Sequence, residues 1–173
     1  YYVGAADTRA ALAALGVPEE RIRISGIPVR SAFHEAAEPP RKQKRKEILI
    51  LGGGLGLIPQ QGEFLKQLSA CEEVHVTLIA GKNRRLVKKL RRRYPGVETL
   101  GFTDRIAEYY HRADLVVTKA GGITTFEAIA AGTPLLVQRP FLVQEVGNAE
   151  FIERSGIGQV VWSRSVDLAK NIL

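Results

Sequence analysis

Short apolar runs alternate with helix-length amphipathic segments from one end of the chain to the other. Glu47–Leu51, Val74–Ile79, Val97–Leu100, Asp114–Thr118, Pro134–Val137 and Gln159–Val161 read as strands that are apolar almost throughout. Arg21–Ser25 alternates like a further strand, and Tyr1–Val3 reads as the end of another. Between them the periodicity predicts helices over 5–15, 59–70, 82–93, 104–112, 124–131 and 145–155, with one more beginning near Val166. Strands this apolar are buried on both faces, and their alternation with helices specifies a parallel sheet covered on both sides. The expected fold is therefore α/β: a doubly wound, Rossmann-like parallel sheet. In such sheets ligands bind beyond the carboxyl ends of the strands, so the loops after strands are where chemistry is sought.

At 173 residues the chain has room for one domain. A hydrophobic content of 45% with 25% charged residues is globular composition. No apolar run is long enough to span a bilayer, and no secretory leader opens the sequence. One cysteine, Cys71, excludes an internal disulfide framework, and with three scattered histidines it makes no zinc site. A reducing, cytoplasmic setting is the expectation. The abrupt start at Tyr1 suggests a piece of a longer protein.

Charge changes the picture more than composition. The net charge is +7, yet thirteen cations fall in two stretches without an acid, 41–46 and 82–93. Outside them the chain holds 12 cations against 18 acids, a balance of −6. Two basic patches on an otherwise acidic body suit an anionic lipid surface or nucleic acid. They equally fit a solvated connection over 35–46 and a solvated helix face. The helix over 82–93 has no interleaved aromatic except the adjoining Tyr94, which disfavours nucleic acid. Lys82, Arg85, Lys89 and Arg92 fall on one stripe of it.

Three loops carry candidate chemistry. Gly52-Gly53-Gly54-Leu55-Gly56 follows a strand and lets backbone amides approach a ligand. Leu57 breaks the dinucleotide spacing, no acid ends the next strand, and no Gly-Lys-Ser/Thr follows, so nicotinamide and P-loop chemistry are disfavoured and a tight turn remains open. Gly121-Gly122 precedes a helix whose start, near Thr124, suits a phosphate. Glu127, placed on that helix's first turn, either accepts ribose hydroxyls or completes a capping box with Thr124. The loop 140–149 gathers Gln144, Glu145 and Asn148, which suit a polyhydroxylated ligand or ordinary helix capping.

Taken in order, Gly26-Ile27-Pro28-Val29-Arg30, the glycine loop, Gly101-Phe102, Thr118-Lys119-Ala120-Gly121-Gly122-Ile123-Thr124, Glu127-Ala128, Gln144-Glu145 and Asn148-Ala149 cover residues 1–165. They resemble the carboxyl-terminal, donor-binding domain of GT-B glycosyltransferases that build membrane glycolipids. These include monogalactosyldiacylglycerol synthases, processive diacylglycerol glucosyltransferases and the N-acetylglucosaminyltransferase that completes lipid II. The resemblance implies a UDP-sugar donor and no separate cofactor. It implies that Glu127 holds the ribose, that Gly121, Gly122, Ile123, Thr124 and Arg30 hold the diphosphate, and that Phe102 and Thr103 cover the uracil. Gln144, Glu145 and Asn148 would hold the hexose, and the loop containing Gly53 and Gly54 would line the interdomain cleft. Leu55 and Leu142-Val143 depart from the usual pattern, so the resemblance does not single out the sugar.

The same resemblance places the acceptor site and the general base in a separate amino-terminal domain, because His34, His75 and His111 lack the glycine-rich context of that base. It implies an inverting transfer to a lipid such as diacylglycerol, by a protein peripheral on the inner face of the cell membrane. No Asp-x-Asp pair occurs, so no metal site is expected and charge stabilisation falls to the helix start. The chain by itself is expected to bind donor without transferring sugar. A natural donor subunit of a two-chain enzyme, or half of a UDP-sugar 2-epimerase, are the alternatives the residues leave open.

Overall fold

The computed structural model describes residues 1–35, 44–53, 62–163 and 172. The glycine loop beyond Gly53 (Gly54 included), the basic stretch 41–43, the start of the helix predicted from 59 and the helix predicted beyond Val166 lie outside the described residues. Among the described residues, eight strands and six α-helices follow in order: β1 (Tyr2–Val3), α1 (Ala6–Ala14), β2 (Arg23–Ile24), β3 (Lys46–Leu51), α2 (Glu63–Ala70), β4 (Val74–Ile79), α3 (Arg84–Arg93), β5 (Val97–Leu100), α4 (Ile106–Arg112), β6 (Leu115–Thr118), α5 (Gly122–Ala131), β7 (Leu135–Val137), α6 (Val143–Arg154) and β8 (Gly158–Val160).

Strands β3 to β8 form one six-stranded sheet in the order β5-β4-β3-β6-β7-β8, every pair parallel. That is the doubly wound order, and strand direction of travel reverses between β3 and β6. Alternation within β3 divides the core between the faces. Ile48 and Ile50 pack with Phe64, Leu65 and Leu68 of α2 and with Leu90 of α3. Leu49 and Leu51 pack on the other face with Ala107 and Tyr110 of α4, Ala128 of α5, and Ala149 and Ile152 of α6. Burying both faces is what made the strands apolar without interruption. β1 and β2 pair separately in a small parallel ribbon.

Three boundaries differ from the sequence expectation in ways that matter. Helix α5 begins at Gly122, with extended Gly121 as its cap residue, and not at Thr124. Helix α6 begins at Val143, two residues before Glu145. Helix α3 begins at Arg84 with Asn83 as its cap, the Asn83 side chain accepting from the Leu86 amide at 3.0 Å. Lys82 therefore precedes the helix, and its ammonium stands 5.7 Å from the centre of the Phe102 ring. At α5 a glycine and at α3 a short polar residue stands at the cap position, whereas α6 is preceded by extended Leu142.

Two of the three histidines have structural partners. His75 Nδ1 donates to Glu47 Oε2 at 2.8 Å across β3 and β4, and His111 Nε2 donates to the Ala32 carbonyl at 2.9 Å, tying α4 to the segment after β2.

Candidate functional site

The reversal point lies between the ends of β3 and β6, where Gly53 follows one strand and Lys119-Ala120-Gly121 follows the other. Because the first intrahelical bond of α5 runs from the Thr125 amide to the Gly121 carbonyl at 2.9 Å, the amides of Gly122, Ile123 and Thr124 precede it. They point to the crevice end of the helix, with its partial positive charge. A side chain at Gly122 would begin 3.0 Å from Ile27 Cδ1, so glycine lets the 26–30 segment pack down onto this turn. Ile123 is exposed beside it.

That packing brings Arg30 into the site. Its Nη1 donates to the Asp104 carbonyl at 2.7 Å, joining the segment after β2 to the loop after β5. In that loop the Thr103 hydroxyl accepts from the Arg105 amide at 3.2 Å, turning the chain into α4. Phe102 stands 70% exposed at the rim, with the Lys82 ammonium over its ring.

Glu127 sits on the second turn of α5, half-buried, and not on the first. With Gly121 at the cap position, Thr124 is inside the helix, so the capping-box reading of Glu127 fails. Its Oε2 instead lies 3.4 Å from the Tyr110 hydroxyl. Burial pushes the Glu127 carboxyl above the usual range, although the charge of Arg30 and the Tyr110 hydrogen bond pull it back in part. Tyr110, fully buried, has its own ionisation pushed far upward by burial and by Glu127. Tyr110 was invisible as a site residue in the sequence, where it reads as one more apolar helix position.

Helix α6 reaches the same turn from the other side. Asn148 Nδ2 donates to the Ala120 carbonyl at 2.9 Å. Glu145 is buried, accepting from Lys119 Nζ at 3.0 Å and from the Phe141 amide at 3.1 Å. Burial raises the Glu145 carboxyl, but the Phe141 amide and Lys119 together outweigh it and hold it below the usual range. Gln144 is exposed at the start of α6. The structure thus brings Arg30, Gly53, Thr103, Gly121, Gly122, Thr124, Glu127, Glu145 and Asn148 to one end of the sheet. It leaves Phe102, Ile123 and Gln144 on the rim.

Such an arrangement offers an open helix N-terminus, a carboxylate one turn deeper and cations on either side. Residues 48–169 match the glycosyltransferase family 28 C-terminal domain. The processive diacylglycerol beta-glucosyltransferase of Bacillus licheniformis is 33% identical over 172 residues, covering 93% of this chain and 45% of that protein. Among solved structures, Anabaena Alr3699/HepE in complex with UDP aligns with a TM-score of 0.62 at 20% identity, covering 99% of this chain and 52% of that one. A putative UDP-N-acetylglucosamine 2-epimerase from Listeria monocytogenes aligns with a TM-score of 0.68 at 16% identity, covering 99% and 49%. At those identities the two structures share the fold. The chain spans about half the length of the curated relatives it matches. It belongs to the glycosyltransferase family 28 C-terminal domain family.

Proposed function

We propose that this member of the family binds a UDP-sugar, as the donor half of an inverting glycosyltransferase that passes a hexose to a membrane lipid such as diacylglycerol. The observation that carries this reading is the pairing, on one helix, of an open amide terminus at Gly122–Thr124 with the half-buried carboxylate of Glu127 one turn deeper. A nucleoside diphosphate presents the matching groups: an anion beside a vicinal diol. Glu127 accepts from the ribose hydroxyls, while the α5 amides and Arg30 meet the diphosphate. Phe102 and Thr103 cover the base, and the exposed Gln144 serves the hexose end.

In the reaction, an acceptor hydroxyl attacks the anomeric carbon as the carbon–oxygen bond to the diphosphate breaks. The bonding electrons leave with UDP. Charge develops on the departing phosphate, where amides fixed at a helix end stabilise it without rearranging. The acceptor site and the base belong to a companion amino-terminal domain, and the relatives' diacylglycerol glucosyltransferase name supports the lipid acceptor.

Attachment to the inner face of the membrane is assigned to α3. Arg85, Lys89 and Arg92 are exposed along it while Leu90 is buried against the sheet. Among the described residues no helix is long and apolar enough to cross a membrane.

Calorimetric titration of the chain with UDP and with several UDP-hexoses tests the reading. Saturable binding of UDP, and of at least one UDP-hexose, is expected. Failure to bind any uridine nucleotide would overturn it.

A further inference from the structure

We propose that Lys119 is a diphosphate-directed cation of the donor site, held in place by Glu145, and that Asn148 positions the turn between β6 and α5 that carries it. The inference rests on the UDP-sugar reading above and assigns residues within it.

Lys119 is the first residue after β6, at the point where the sheet reverses. Its stem runs toward the other half of that point, with Cε 3.8 Å from where a side chain on Gly53 would begin. A lysine ammonium has three N–H donors. One meets Glu145 Oε1 at 3.0 Å, and the side chain keeps 35% of its surface open. Glu145 is the opposite: its side chain is 6% exposed, and each oxygen already has a donor, Lys119 on one and the Phe141 amide on the other. A carboxylate so enclosed is a permanent counter-ion for the ammonium.

The geometry explains why a lysine could serve here. A four-carbon stem loses considerable rotamer freedom when it is fixed. A buried carboxylate that takes one donor localises the ammonium in advance and leaves its other donors for a ligand. One turn further along α6, Asn148 Nδ2 holds the Ala120 carbonyl at 2.9 Å, adjoining Lys119. A side chain added at Gly122 would begin 3.9 Å from that same Nδ2. Two α6 side chains three residues apart thus grip successive residues of one turn. Lys119 and the α5 amides share that turn, so a diphosphate bound at the helix end meets a charged donor beside it.

The test compares UDP with uridine, because only UDP carries the phosphates. The whole 173-residue chain and its Lys119→Gln and Lys119→Arg variants are titrated with each ligand. Loss of a charge-assisted hydrogen bond should cost UDP about 10-fold or more in affinity. Uridine should change much less, and Lys119→Arg should recover most of the loss. If Lys119→Gln weakens UDP and uridine alike, or neither, Lys119 faces no phosphate and the inference fails while the UDP reading stands. If the unsubstituted chain binds neither ligand, the reading beneath it has failed. Glu145→Gln keeps an acceptor for the Phe141 amide but removes the counter-ion. It should lower UDP affinity while leaving uridine affinity little changed; an equal loss for both ligands would overturn its role as the counter-ion of Lys119.

Discussion

The Tyr110 hydroxyl lies 3.4 Å from Glu127 Oε2 and the same distance from the Thr124 carbonyl oxygen, so one buried phenol joins α4 to two turns of α5. The carboxylate that faces the crevice is thereby fixed from behind. A ribose-binding acid needs this: its two oxygens must hold their direction before the ligand arrives.

Replacing Glu127 with Gln should weaken UDP by about 10- to 100-fold, the cost of converting charge-assisted hydrogen bonds to neutral ones. The fold should not suffer, because no helix cap is lost. Calorimetry for affinity and thermal unfolding for stability separate the two quantities. A fall in melting temperature with unchanged affinity would contradict the ribose assignment.

The raised Glu127 carboxyl makes a pH prediction. Ribose binding needs the ionised form, so UDP affinity should begin to fall on acidification at a higher pH than for an ordinary carboxylate. Stability moves the other way. The folded value lies above the unfolded one, so the favourable contribution is present below the unfolded value and is lost as pH rises through the folded value. Glu127→Gln, always neutral, should gain stability on the parent chain as pH rises through that window, and its UDP affinity should lack the acid limb.

Arg30 lowers the Glu127 carboxyl through its charge. Arg30→Gln should therefore move the acid limb of UDP binding to still higher pH, besides weakening UDP at neutral pH. A profile of affinity against pH for both chains checks the shift.

Electrostatic attachment through α3 should show in sedimentation with anionic vesicles at low salt and disappear with neutral vesicles. Each cation near the surface contributes about 1 kcal/mol, and salt screens it. Changing Arg85, Lys89 and Arg92 together to Gln should release the chain. Unchanged sedimentation would make the stripe a solvated face.

Gly158→Ala should be strongly destabilising, by about 1–3 kcal/mol or more. A Cβ there would sit 2.4 Å from the Leu135 carbonyl oxygen, a backbone atom within the β7–β8 pair that cannot move aside alone. Chemical denaturation measures it, and UDP affinity extrapolated to the folded fraction should change little.

The sequence by itself determined the class of fold and the end of it that matters. Uninterrupted apolar strands such as Ile48–Leu51 are stable only with both faces covered, which leaves few alternatives to a parallel doubly wound sheet. Glycines after β3 and β6 marked the carboxyl end of the sheet, since a strand must turn there. The roles of single side chains were decided by tertiary contacts. Glu127 read equally well as a capping-box partner until α5 began two residues early and left Thr124 inside the helix. Glu145 and Asn148 looked like free polar groups at a helix start, yet packing α6 against the β6–α5 turn joined them to Lys119 and Ala120. Lys82 read as the first member of a helical stripe, and the Asn83 cap turned it away toward Phe102. Hydrophobic periodicity reports how an element faces the core. Which partner a polar side chain finds depends on elements distant in sequence: Lys119 and Glu145 lie 26 positions apart.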